Sequence, residues 1–368
     1  MKRILIVSTV SKQFYLFEQS NIEVLKSLGY EVHAAANFSD SNERLDALDI
    51  IRHSFDIQRS PFSIRNIKAY RQLKNIMRLE NFDAVHCHSP MGGVLARLAA
   101  KATKISPVIY TAHGFHFFEG APIINWLLYY PVEKWLSKIT DTIITINKED
   151  YNRAQNFKAT EIVYVPGIGI DTKKFRSNFV NNNTKRLLLG VSQDAFIILS
   201  VGELNKNKNH EVIINAIAQI DNLNIYYVIC GQGERLEYLQ RLSKRLNVEN
   251  RVIFLGFRND INEIYEIADV FVFPSFREGL SVSLMEAMTA GLPVICSDIR
   301  GNQDLIENEK GGYLLNPNDI NGFSKYIKIL RDDLLMRKRM GKQNQIEIEK
   351  FNNLTVRKYM EKVYGSIL

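Results

Sequence analysis

The sequence predicts an α/β protein built from two doubly wound parallel-sheet domains, followed by a helical carboxyl-terminal tail. Three observations carry this expectation. Short β-branched runs alternate with helix-length amphipathic stretches along nearly the whole chain, which is the pattern of strands joined by crossover helices. The alternation breaks once, in PGIGIDTKKFRSNFVNNNTK, a stretch rich in Gly, Asn and Lys and poor in large apolar residues, and then restarts. The 368 residues suit two domains at ~100 to 200 residues each.

In chain order, RILIVST reads as a buried first strand. Two basic residues precede it as in a secretion signal, but Lys12 interrupts the apolar run and no small-residue cleavage site follows. EVHAAA, IIRHSFDI, DAVHC, PVIYTA, DTIITI and EIVYV continue as strands, with helices expected over 17–28, 64–80, 91–103 and 121–139. The second series is AFIILSVG, NIYYVICG, RVIFLG, DVFVFPS, LPVICSD and GGYLLN, and residues 319–368 read as helices only. The expected domains are residues 1–170 and 191–351, separated by a linker over 171–190, with the last helix, about 352–368, packing back on the first domain. Ligands of open parallel sheets bind beyond the carboxyl ends of the strands, so two such domains are expected to face a central cleft.

Composition narrows the class. With 46% hydrophobic and 24% charged residues the chain is neither disordered nor low-complexity. Cys87, Cys230 and Cys296 each end an apolar run and lie far apart, which suits buried thiols in a reducing cytoplasm rather than a disulfide framework. No run of about 18 apolar residues predicts a membrane-spanning helix. The net charge of +7 is too small to imply a nucleic-acid partner, but residues 52–104 alone hold ten Lys or Arg against three acids. Within it, 59–79 carries Arg59, Arg65, Lys68, Arg71, Lys74 and Arg78 with no acid. Read as a helix, this stretch turns Ile67, Tyr70, Leu73, Ile76 and Met77 to one side. Docking on an anionic membrane surface is expected of it, as is, equally, an ordinary crossover helix with a solvated basic face.

The most informative segment is DVFVFPSFREGLSVSLMEAMTAGLPVICSD. A strand ends at Phe273, a loop carries Glu278 and Gly279, and a helix begins near Ser281 to Ser283. Gly279 permits close backbone approach, and the amides of Leu280, Ser281 and Val282 at the helix start would suit a phosphate. Glu286 lies on the helix, eight residues after Glu278. Ser283 to Glu286 also fits a capping box, in which the glutamate serves only its own helix, and Glu278 also reads as solvated surface.

The run EGLSVSLMEAMTAGLPVI resembles the signature of retaining nucleotide-sugar glycosyltransferases of the GT-B fold, glycosyltransferase family 4, whose two Rossmann-like domains face a cleft. The resemblance implies that Glu286 bonds the ribose hydroxyls, that Glu278 contacts hydroxyls of the donor sugar, and that the amides from Gly279 to Ser281 hold the diphosphate and sugar. VGELNKNKNHEVIINAI resembles the family segment after the first donor-domain strand. It implies that Lys208 neutralises the diphosphate beside Gly202, although a solvated loop lysine fits the same pattern. The family commonly has arginine after Gly202, where this chain has Glu203, and Lys206 is a conceivable substitute. LGFRNDINEIYEIADVFVFPS resembles the stretch whose backbone at Phe257 and Arg258 receives the base, and PGIGIDTKKF resembles the interdomain segment. In VICGQGE, Gly231 and Gly233 are a weak signal by themselves.

The amino-terminal half departs from the family by having STVSKQF where many members carry a glycine-rich loop. VHCHSPMGGVLARLAA, YTAHGFHFF and APIINWLLYYPVEKWLS resemble enzymes of bacterial capsule and exopolysaccharide assembly. His113 falls where the family places a histidine beside the donor sugar, or is a satisfied loop histidine. His86 and His88 share one strand face, opposite Cys87, with no carboxylate at a ligand spacing, and His116 adds none, so no metal is expected. The sequence has no Asp-X-Asp. The implied reaction is transfer of a hexose or N-acetylhexosamine, with retention, from a UDP-linked donor to a polyprenyl-diphosphate-linked or other glycan acceptor. The enzyme is expected in the cytoplasm, peripheral on the inner membrane face, and needs no cofactor beyond its donor. A UDP-sugar 2-epimerase of the same fold and a catalytically silent nucleotide-sugar-binding protein are the alternatives.

Overall fold

The computed structural model describes residues 1–39, 43–176, 186–187, 189–221 and 224–368. The chain divides into two compact units, Met1–Gly169 with Asn353–Leu368, and Ile170–Asn352. Of the stretch 171–190 that composition marks as a linker, residues 177–185 and 188 lie outside the described residues. Its beginning belongs to the second unit, where Phe175 is buried in the core.

The first unit holds strands β1 (Lys2–Val10), β2 (Tyr30–Asn37), β3 (Ile51–Ser54), β4 (Ala84–His88), β5 (Val108–Ala112), β6 (Thr142–Thr145) and β7 (Glu161–Tyr164). They form one parallel sheet in the order β3-β2-β1-β4-β5-β6-β7. β1 pairs with β2 on one edge and β4 on the other, with Ile4 opposite both Val32 and Ala84. The order therefore reverses beside β1, and that is where the crevice of a doubly wound sheet opens. Alternation along β1 feeds two cores: Leu5 and Val7 face one, Ile4 and Ile6 the other.

The second unit repeats the plan with β8 (Phe196–Val201), β9 (Ile225–Cys230), β10 (Val252–Gly256), β11 (Val270–Phe273), β12 (Val294–Ser297) and β13 (Gly312–Leu315), in the order β10-β9-β8-β11-β12-β13. Here the reversal lies beside β8. Helices Ile320–Asp332 and Leu334–Glu347 close this unit. The last helix, Asn353–Ile367, returns to the first unit and buries Val356, Met360, Val363 and Tyr364 against the Ile4 and Ile6 face. All three cysteines are buried and free.

The basic stretch differs from its expected form. Its helix spans Arg65–Glu80, and residues 59–64 precede it as loop. The buried face is Asn66, Ala69, Leu73 and Met77, while Ile67 is 60% exposed. An α-helix turns about 100° per residue, so a stripe that includes both Ile67 and Met77 is a wider arc than the contact made. Lys68 pairs with Asp56 at 2.6 Å. Among the described residues Arg59, Arg65, Arg71, Lys74 and Arg78 have no ion-pair partner within 4.0 Å. The helix Ile123–Leu136 is apolar on its exposed side as well, through Ile123, Ile124, Leu127, Leu128, Val132 and Trp135. Trp126, by contrast, packs on Phe117 and Tyr130. Among the described residues no helix is long and apolar enough to cross a membrane.

Candidate active site

In the second unit the carboxyl ends of the strands are stitched together by glycines. A Cβ on Gly231 would lie 1.8 Å from the Gly202 carbonyl oxygen and one on Gly233 2.4 Å from that of Leu204, so the two glycines after β9 let its loop lie directly on the loop after β8. The Gly231 amide donates to the Gly256 carbonyl at 2.8 Å, which adds β10. Across the reversal, the Phe276 amide donates to the Asn207 carbonyl and Asn207 Nδ2 to the Arg277 carbonyl, both at 2.9 Å. Lys208 and Glu278 meet as a result.

Lys208 Nζ lies 2.8 Å from Glu278 Oε1 and 4.5 Å from the centre of the Phe273 ring, with both side chains of the pair largely buried. Its stem passes over Gly202, where a Cβ would stand 3.2 Å from Lys208 Cε. A cation held this way is oriented before any ligand arrives. Glu203 is exposed, and its carboxylate accepts from Asn205 Nδ2 at 3.0 Å. Phe257 is 70% exposed just past β10, and the Arg258 guanidinium forks onto Asp260 at 2.8 and 2.6 Å.

The helix Val282–Thr289 follows β11. Its cap is Ser281, whose hydroxyl accepts from the Leu284 amide at 3.4 Å. Ser283 is therefore inside the helix, and the capping box that its spacing to Glu286 allows does not form. Glu286 Oε2 instead lies 2.9 Å from the Tyr265 hydroxyl, which is also 3.0 Å from the Ser283 carbonyl. Burial raises the Glu286 carboxyl to about 7, partly offset by the Tyr265 hydrogen bond and the charge of Lys174. Lys174 and Phe175 arrive on the segment after Ile170, and Phe175 packs edge-on against Tyr265. The amides of Gly279, Leu280 and Ser281 have no acceptor among the described residues. Arg300 holds this loop through the Glu278 carbonyl at 3.2 Å, and Gly301 permits the approach, since its Cβ would fall 2.0 Å from the Gly279 oxygen. Free amides, an oriented cation and a carboxylate with a hydroxyl donor are what a nucleoside diphosphate requires.

In the first unit His113 follows β5 and is partly buried. Its Nε2 lies 3.1 Å from His88 Nδ1 and 3.3 Å from Gln13 Nε2, and burial brings its pKa down to about 4. His88 ends β4, and its Nδ1 is also 3.3 Å from Glu18 Oε1. Glu18 comes from a π-helical turn, Phe14–Glu18, that begins at the end of the STVSKQF stretch. Burial raises its carboxyl to about 7 against hydrogen bonds from Asn21 and Gln13. The fold thus brings to the histidines a carboxylate that no ligand spacing in the sequence supplies. Glu18, His86 and His88 bring ligand-type atoms within 4.8 Å of one another. Two of the three are already engaged: His86 bonds the Tyr364 and Thr111 hydroxyls, each at 2.8 Å, and Glu18 is held by the two amides, whereas the buried His88 Nε2 has no hydrogen-bond partner among the described residues. His116 packs at a tilt against Tyr129, with ring centres 4.6 Å apart. Sequence reasoning missed Gln13, Glu18, Lys174 and Tyr265. Three of the four stand inside segments already singled out, and only Glu18 lies outside them all.

Residues 182–346 match the family described as Glycosyl transferases group 1, and residues 3–147 match Glycosyl transferase 4-like. EpsD of Bacillus subtilis (strain 168), named as a glycosyltransferase without donor or acceptor, is 37% identical over 374 residues, covering 100% of this chain and 97% of that protein. An Escherichia coli enzyme named UDP-Gal:alpha-D-GlcNAc-diphosphoundecaprenol alpha-1,3-galactosyltransferase is 32% identical over 281 residues, covering 74% of this chain and 72% of its own. Among solved structures, Anabaena Alr3699/HepE in complex with UDP-glucose superposes with a TM-score of 0.84 at 19% identity, each chain fully covered. That likeness establishes the GT-B architecture. With both halves matched and relatives alike along the whole chain, the protein belongs to the group 1, family 4-like glycosyltransferases and is a glycosyltransferase of GT-B fold.

Proposed function

We propose that the enzyme moves a hexose or N-acetylhexosamine from a UDP-linked donor, with retention, to a lipid-linked glycan in the synthesis of capsule, exopolysaccharide or another cell-surface polysaccharide. The observation that carries this reading is the pairing of Lys208 with Glu278 beside the free amides that open the helix Val282–Thr289. It gains support from relatives whose names state the chemistry: the Escherichia coli galactosyltransferase, and a Campylobacter jejuni enzyme named for transfer to diacetylbacillosaminyl-diphospho-undecaprenol, 24% identical over 385 residues. Capsular polysaccharide glycosyltransferase CapM of Staphylococcus aureus is 25% identical over 370 residues.

In this reading Glu286 takes the ribose hydroxyls, Phe257 and Arg258 offer backbone to the base, and Lys208 with the amides of Gly279 to Val282 takes the diphosphate. Glu278 turns to sugar hydroxyls once Lys208 engages phosphate. The leaving diphosphate gains charge as the glycosidic bond lengthens, so preorganised positive groups act where charge develops. The acceptor hydroxyl attacks on the face the diphosphate leaves, and a diphosphate oxygen receives its proton. His113, neutral because it is partly buried, offers a hydrogen bond beside the sugar rather than a charge. The unpaired cations of 59–79 hold the protein peripherally on the anionic inner membrane face, each contributing ~1 kcal/mol at low salt. The mechanism requires no metal and no nucleic-acid partner.

The experiment is transfer from a panel of UDP, GDP and ADP sugars to a lipid-linked acceptor, with and without EDTA. UDP-sugar turnover unchanged by chelation is expected. Transfer only from another nucleotide, or loss on chelation with rescue by manganese, rejects the donor or the metal-free mechanism. Co-sedimentation with anionic and neutral liposomes checks docking, which should vanish when Arg65, Lys68, Arg71 and Lys74 are all replaced by glutamate.

A further inference from the structure

A cavity of about 550 Å³ opens in the first unit at the carboxyl ends of β1 and β4, where it touches Thr9, Val10 and Ser89. Its volume is that of a small-molecule pocket. One wall is the loop before the basic helix, with Pro61 and Phe62, and the other is the helix Ile123–Leu136, with Leu128 and Val132. Polar groups gather at the strand ends, where the Thr9 and Ser89 hydroxyls lie 2.7 Å apart beside His116. Glu133 also lines the cavity, but Arg97 neutralises it from within at 2.8 Å. Arg59 is then the cation on the lining with no ion-pair partner among the described residues.

The outer end carries the second observation. Phe62 is 77% exposed, Ile64 lies two residues on and is also exposed, and Ile123, Ile124 and Leu127 stand exposed on the helix that carries Leu128. Soluble proteins seldom leave an apolar surface of this kind uncovered. Arg59 lines the same cavity, and Arg65 opens the helix that follows Ile64 in the chain. An occupant must therefore be apolar along its length and anionic where it meets Arg59. A second copy of this chain fits poorly, because twofold association through this face would set basic residue against basic residue.

We infer that this groove holds the phosphate-proximal part of an isoprenoid diphosphate, the apolar tail of the acceptor, with Arg59 at the diphosphate and Phe62, Leu128 and Val132 along the chain. The inference rests on the lipid-linked acceptor proposed above and adds where the lipid goes: the chain leaves past Ile64 and Ile123 toward the bilayer, and the glycan extends to the polar end at Thr9 and Ser89.

The test uses the full chain and geranylgeranyl diphosphate, read by tryptophan fluorescence and by competition, with geranylgeraniol and inorganic diphosphate as separate arms. Geranylgeranyl diphosphate should bind at least ~10-fold more tightly than either fragment, and Phe62→Ser with Leu128→Gln should weaken it by ~10-fold or more. Arg59→Glu should erase the preference for the diphosphate over the alcohol. All three side chains are at the surface, so melting temperature and UDP affinity should not move. Absence of saturable binding, binding indifferent to these substitutions, or concentration-dependent self-association that the substitutions dissolve would overturn the assignment. Transfer assays with a polyprenyl-linked acceptor separate it from the functional reading. Binding of the lipid without transfer leaves the groove standing and rejects the acceptor, whereas transfer unaffected by the groove variants keeps the acceptor and rejects the groove.

Discussion

Glu286 keeps a proton near neutral pH because burial disfavours its charge more than Tyr265 and Lys174 favour it. Ribose hydroxyls donate to a carboxylate, so UDP binding should draw that proton off. Affinity is then expected to climb as pH rises through about 7 and to level above it, with proton release detectable by calorimetry in buffers of different ionisation enthalpy. Glu286→Gln should flatten the profile. Glu286→Ala should weaken UDP by ~1 to 3 kcal/mol, the cost of leaving buried partners unpaired, while the melting temperature holds. Lys208→Ala should slow transfer by more than ~100-fold, as removal of a preorganised charge facing a developing anion does. Retained turnover in that variant would move the diphosphate to another cation. For His113→Ala the expectation is a fall in turnover with UDP affinity intact, since His113 belongs to the unit that does not contain Glu286. Equal loss of UDP binding would place His113 at the nucleotide instead.

At the scale of elements, the π-helical turn Phe14–Glu18 delivers a carboxyl to His88 at the end of β4. Because the folded pKa of Glu18 is raised from 4.5 to about 7, the folded state holds the proton more tightly than the unfolded chain. That stabilisation is complete below 4.5 and is lost as pH rises through about 7. His113 acts oppositely, costing stability as pH falls from 6.5 toward about 4. The stability difference between wild type and Glu18→Gln isolates the first effect and should shrink by roughly 3 kcal/mol from acid to mildly alkaline pH in denaturant titrations. A constant difference would mean that Glu18 is ionised in the fold. The strands were legible in the sequence because parallel strands, buried on both faces, leave unbroken runs such as RILIVST and YVIC. Lys208, Glu278 and Glu286 were visible because each follows a strand end or sits beside a helix start. The roles of Tyr265 and Glu18 were not. Tyr265 stands in a segment that the resemblance marks, but nothing there distinguishes it from its neighbours, and Glu18 has no motif at all. Each reaches its partner across the fold from a helical turn, and a partner chosen by tertiary packing leaves no spacing to read. Of the apolar stripe read on the basic helix, Tyr70, Leu73, Ile76 and Met77 pack on the core and Ile67 alone does not, since a sequence stripe gives a set of apolar residues but not the arc that packing covers.

For the whole molecule, the second unit is one continuous stretch, Ile170–Asn352, whereas the first is closed by residues from both ends of the chain. Residues 170–352 alone should fold and bind UDP. Deleting 353–368 should uncover the Ile4 and Ile6 face and abolish the first unit's cooperative unfolding while the second unit's transition persists, as calorimetry would show. A single shared transition lost in both would make the units one folding block. The returning helix also sets an order of synthesis. Domains fold as units as they leave the ribosome, and here the part that starts first finishes last. The second unit has all its residues synthesised before Val356, Met360, Val363 and Tyr364 are translated. A nascent chain thus carries a first sheet with one face uncovered until the last helix is made, and ribosome stalling within the codons for 353–368 would release a protein with a whole second unit and an unclosed first unit.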